Sequence, residues 1–107
     1  MRKILVIEDE KSILSNILEI LESSGFETIS ARNGAAGVQM AKEHVPQLIL
    51  CDIMMPDMDG YMLMQQLRKL APEQGGRIPA IALTAYTGEF NQQQARSVGF
   101  QKHIAKP

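Results

Sequence analysis

Six of the twelve acidic residues in this chain fall in two short stretches, Glu8-Asp9-Glu10 and then Asp52, Asp57 and Asp59. Carboxylates packed together repel, and one of them would normally keep its proton. A hard divalent cation relieves this, and Mg²⁺ accepts one or two carboxylates, a backbone carbonyl and several waters. An ionised Asp beside Mg²⁺ and a lysine ammonium is equipped to attack a phosphoryl group. The two cations neutralise the phosphoryl oxygens, and a hydroxyl hydrogen-bonds one of them.

These residues have to be brought together by the elements around them. Lys3 to Ile7 (KILVI) is a continuous apolar run, the pattern of a strand covered on both faces, and it ends at Glu8. Ile13, Leu14, Ile17, Leu18 and Leu21 recur at helical spacing, which predicts a helix over 10–24 stopped by Gly25. Residues 26–31 (FETISA) alternate, as a less buried strand would. The turn Asn33-Gly34 leads into a helix over 35–44, which Pro46 ends. Residues 48–51 (LILC) form a second continuous apolar run, with Cys51 read as a buried small hydrophobe, and this run ends at Asp52. A loop over 52–60 (DIMMPDMDG) precedes a helix over 61–70, and 72–77 (PEQGGR) reads as a flexible link. The fourth strand, 79–84, ends in Thr84. The helix predicted over 89–98 is polar in its middle and is expected to be the least firmly held. KHIA at 102–105 is a short fifth strand, followed by Lys106-Pro107.

Strands alternating with helices imply an α/β fold, a doubly wound parallel sheet with right-handed crossovers. Ligands in such sheets sit at the carboxyl ends of the strands. The residues found there are Glu8 and Asp9, Asp52, Thr84 and Lys106, so the acids, the hydroxyl and the ammonium share one rim.

Glu8-Asp9, Asp52, Thr84 and Lys106-Pro107 together resemble the residue set of a response-regulator receiver domain of two-component signalling. Residues 52–60 resemble that family's phosphorylation loop, and Ala82-Leu-Thr-Ala85 resembles the end of its fourth strand. The resemblance spans the whole chain, read as a single domain over 1–107, and resembles the chemotaxis regulators in particular. It implies a flavodoxin-like five-stranded sheet in the order 2-1-3-4-5, in three α/β/α layers. It implies that Asp52 is the phosphoacceptor, that Asp9 binds Mg²⁺ directly and Glu8 through water, and that the Met54 carbonyl completes the metal site. Thr84 and Lys106 would stabilise the phosphoryl group. Thr84 and His103 would act as switch residues, His103 standing where the family often has Tyr or Phe. Met54 and Tyr86 would tune how water reaches the phosphoryl group, and the Lys106–Pro107 bond is a candidate cis bond. The implied partners are a histidine kinase or a histidine phosphotransfer protein, with a downstream effector or self-association as further possibilities. Catalysis would be limited to the domain's own phosphotransfer and slow self-dephosphorylation.

Other classes fit less well. A net charge of −1 and few aromatics argue against nucleic-acid binding. The chain has neither the apolar core of a signal peptide nor a run of membrane-spanning length, so a cytoplasmic setting is expected. A haloacid-dehalogenase-like aspartyl phosphatase wants a second Asp two residues after its nucleophile, where this chain has Met54. A flavin or nucleotide module wants a Gly-rich or Ser/Thr-rich cradle after the first strand, where this chain has acids. A degenerate receiver-like module that only binds proteins is the remaining alternative. The family also has a fifth helix after the last strand, absent from these 107 residues. The sheet face carrying Ile4, Val6, Leu83 and Ile104 is therefore expected to lose cover on one side.

Overall fold

The structure is a computed structural model that describes residues 2–84 and 92–106. Five strands are present: β1 (Lys3–Ile7), β2 (Glu27–Ala31), β3 (Leu48–Asp52), β4 (Ala80–Thr84) and β5 (Lys102–Ala105). They form one parallel sheet in the order β2-β1-β3-β4-β5. The helices are α1 (Lys11–Ser23), α2 (Gly34–His44), α3 (Gly60–Arg68) and α4 (Gln92–Ser97).

Side chains alternate along each strand, so each strand feeds two cores. Leu5, Ile7, Ile49, Cys51, Ala80 and Ala82 face Ala41 of α2, then Leu63, Met64 and Leu67 of α3 and Ala95 of α4. Ile4, Val6, Leu50 and Leu83 face Leu14 and Ile17 of α1. Two-sided cover is why β1 and β3 are continuous apolar runs, whereas β2, at an edge, is mostly half-exposed.

The expected loss of cover is narrower than the sequence reading held. Ile4, Val6 and Leu83 are 4%, 0% and 1% exposed, because α1 alone spans the middle of that face. The shortfall lies toward β5, where Ile104 is 47% exposed and Ile20 of α1 is 57% exposed. Between them runs an apolar groove of about 240 Å³ floored by Leu50 and Leu83.

The segment read as a flexible link is instead ordered. Pro72–Gln74 form a turn of 3₁₀ helix. Arg68 then ties three backbone carbonyls, donating from Nη1 to Gly76 and Ile78 and from Nη2 to Gly99. Its guanidinium has no carboxylate partner among the described residues, and burial lowers its pKa. No helix among the described residues is long and apolar enough to cross a membrane.

Candidate functional site

The rim at the carboxyl ends of β1, β3 and β5 brings the acids and the lysine together. β1 ends at Ile7, and the Glu8 amide continues the ladder by donating to the Ala31 carbonyl at 3.0 Å. Glu8 is fully buried and Asp9 half-buried. Asp52 closes β3 and is 1% exposed. One carboxylate oxygen from each of Glu8, Asp9 and Asp52 lies within 4.8 Å of the other two.

Lys106 reaches this cluster from the end of β5. Its amide donates to the Thr84 carbonyl at 2.8 Å, which fixes the backbone. Its Nζ lies 2.9 Å from Glu8 Oε1 and 3.1 Å from Asp52 Oδ2. Apart from Lys106, neither oxygen has a hydrogen-bond partner among the described residues. The other Asp52 oxygen, Oδ1, accepts from the Met54 amide at 3.2 Å. The Met54 side chain itself is exposed.

The loop after Asp52 returns to form α3 against the same strand end. Asp59 caps that helix, its Oδ1 accepting from the Met62 amide at 2.9 Å. Gly60 donates to the Ile53 carbonyl at 2.9 Å, and a Cβ there would stand 2.7 Å from the Asp52 carbonyl. Only glycine allows α3 to start this close to the acid.

Electrostatics follow from burial. Burial first, and then the Glu8 carboxylate, push the Asp52 carboxyl up to about 7 against the opposing pull of Lys106. Burial works against the Lys106 ammonium, but its bonds to Glu8 and Asp52 outweigh this and raise its pKa. Burial, reinforced by Asp52 and Glu8, raises the Cys51 thiol far above its ordinary value, so it is the inert buried thiol its apolar neighbours suggested. Three hard carboxylate oxygens around buried, under-partnered positions fit a small divalent cation of the Mg²⁺ type. Glu8, Asp9 and Asp52 are the side chains that would hold it.

The remaining sequence candidates fall in different places. Thr84 is 5% exposed at the end of β4, but its hydroxyl donates to the Ile104 carbonyl at 3.4 Å and not to Asp52. His103 pairs with Ala82 in register and is half-exposed on β5. Tyr86, the loop 85–88 and Pro107 lie outside the described residues. Sequence reasoning did not single out Arg32, whose Nη2 donates to the Asp9 carbonyl at 3.1 Å. Its position directly after β2, on the same rim, was the available signal.

The family model for the response regulator receiver domain matches residues 4–107. The polar-differentiation response regulator DivK of Brucella anthropi is 32% identical over 106 residues, 99% of this chain and 85% of the relative. The chemotaxis protein CheY4 of Vibrio cholerae superposes with a TM-score of 0.91 at 27% identity, over 100% of this chain and 88% of that one. The receiver domain of a Pseudomonas aeruginosa sensor histidine kinase, solved with magnesium coordinated in its active-site cleft, gives 0.87 at 30% identity, covering 99% and 85%. With the sheet order, the acid rim and a family match over nearly all of its length, the chain belongs to the response regulator receiver domain family.

Proposed function

We propose that residues 1–107 act as one phosphoacceptor domain that takes a phosphoryl group from a partner's phosphohistidine onto Asp52. The observation that carries this is the buried Asp52 carboxylate at the end of a central strand, clustered with Glu8 and Asp9 and paired with Lys106. An Asp52 oxygen attacks phosphorus, the bond from phosphorus to the donor imidazole breaks, and the imidazole leaves with the electron pair. Mg²⁺, when bound, supplies charge neutralisation to the phosphoryl oxygens. Lys106 holds the carboxylates together and adds a second positive charge. The Met54 amide orients Asp52 through Oδ1, leaving Oδ2 toward Lys106, and the Met54 carbonyl is assigned to the metal.

The phosphoryl group adds about −1.5 to −2 charge and strong acceptor oxygens. Thr84 would exchange the Ile104 carbonyl for one of them, and that exchange is the switch we assign to β4 and β5. His103, on the same strand as Ile104, moves with it. The partners are a histidine kinase or histidine phosphotransfer protein in the cytoplasm, and the face of α4 and β5 carries the output to an effector or a second copy. The bulk of Met54 and Tyr86 slows attack by water, so the domain loses its own phosphoryl group slowly and serves as no general phosphatase.

Incubation with Mg²⁺ and acetyl phosphate, followed by intact-mass measurement, tests the reading. One added phosphoryl group is expected, absent in EDTA. No added mass with Mg²⁺ present would refute phosphoacceptor function and leave a receiver fold used only for protein binding.

A further inference from the structure

We propose that Arg32 is a positioning residue for the metal-binding carboxylate of Asp9. The inference rests on the phosphoacceptor reading and extends it to a residue outside the acid set and the phosphorylation loop. Asp9 sits between the end of β1 and the start of α1, a stretch with few anchors. Glu10 occupies the N-cap of α1 without a capping side-chain hydrogen bond, and the first turn of α1 carries no acid.

Two side-chain tethers hold this stretch. Glu8 Oε2 accepts from the Glu10 amide at 3.2 Å, and Arg32 Nη2 donates to the Asp9 carbonyl at 3.1 Å. The first tether uses Glu8, one of the three carboxylates a cation draws on, so the cation competes with it. The second does not. Arg32 is an exposed residue, but it follows Ala31, whose carbonyl is bonded to the Glu8 amide, so its backbone starts from a fixed point at the end of β2. Holding the Asp9 carbonyl restricts the backbone that carries the carboxylate before the cation arrives. A ligand fixed in advance loses less freedom on binding.

The charge of Arg32 acts in the opposite direction. A guanidinium near the site repels a divalent cation, and removing that charge alone would tighten binding. Positioning and repulsion therefore predict changes of opposite sign.

The experiment is an Mg²⁺ titration followed by the amide NMR shifts around Asp9, in the wild-type protein, Arg32→Ala and Arg32→Lys. Arg32→Ala should raise the Kd about tenfold, the low end of the loss seen when an outer partner of a metal ligand is removed. Arg32→Lys keeps a donor within reach of the Asp9 carbonyl and should restore most of the affinity. A Kd unchanged or lowered in Arg32→Ala overturns the proposal, and so does a lysine variant as weak as the alanine one. Failure of the wild-type protein to bind Mg²⁺ at all would instead refute the phosphoacceptor reading itself.

Discussion

The centre and the β5 edge of this sheet are built from strands of similar length that differ in how they are covered. KILVI and LILC at the centre have helices on both faces, and residues Leu5, Val6, Ile7 and Ile49 are all fully buried. KHIA at the edge has cover mainly on one side, and Ile104 is left half in solvent. The charges follow the same division. Glu8, just past the end of β1, and Asp52, at the end of β3, are fully buried, whereas Lys106 arrives from the edge with its side chain 12% exposed. Fixed negative charge comes from the rigid centre, and the counter-charge comes from the strand with the least packing to hold it. In the phosphoacceptor reading proposed above, that asymmetry would let the acids stay in place while Lys106 exchanges its contacts for metal and phosphoryl ones.

The largest effect expected is on the central acid. Asp52→Asn should abolish phosphorylation by acetyl phosphate, read by intact mass, while Asp57→Asn and Asp59→Asn should retain it. Label persisting in Asp52→Asn would move the acceptor off the centre and break the comparison.

Packing comes next. Leu5→Ala at the centre should cost about 2–5 kcal/mol in urea denaturation, through lost burial and a cavity. Ile104→Ala at the edge should cost under about 1 kcal/mol, since much of its side chain is already in water. Equal costs would show that the edge is as firmly packed as the centre.

Removing the edge cation should cost somewhat less than the largest core truncations. Lys106→Met leaves two buried carboxylates without their partner, for which about 3 kcal/mol is expected at pH 8 in EDTA, the lower end of the usual range. The loss stays at that end because Asp52 relieves it by taking up a proton. A variant as stable as wild type would mean the acids are solvated and the site less buried than the packing indicates.

The last expected effect is a pH dependence. The fold raises the Asp52 carboxyl from its ordinary value to about 7, so the folded state binds this proton more tightly than the unfolded chain. In EDTA, this contribution favours folding most at low pH and is lost as pH rises from about 4 through about 7. Asp52→Asn lacks it, so the variant's melting temperature should gain on wild type over that window, by about 5 °C for each kcal/mol recovered. A difference that stays constant with pH would show that Lys106 fully compensates the buried charge.

Much of the domain is legible in its sequence. Strand and helix order follow from local patterns, namely continuous apolar runs, helical spacing, the Asn33-Gly34 turn, and stops such as Gly25 and Pro46. The acids at the strand ends were legible for the same reason, because a strand's end is visible where its apolar run stops. What a chain does locally also misled in places. Gly75 and Gly76 made 72–77 look flexible, yet Arg68 secures that segment through carbonyls eight and ten residues ahead of it and Gly99, thirty-one residues ahead.

The acids, Thr84 and Lys106 on the rim are therefore readable from local pattern, since burial of apolar runs dictates where each strand begins and ends. Which atoms meet there depends on long-range packing. Lys106 spans Glu8 and Asp52 because parallel crossovers bring three strand ends together from distant parts of the chain. Thr84 turns its hydroxyl to Ile104, and Arg32 reaches the Asp9 carbonyl, through contacts twenty and twenty-three residues apart in sequence. Contacts of that range depend on how layers stack and how strands register, and no local pattern encodes either.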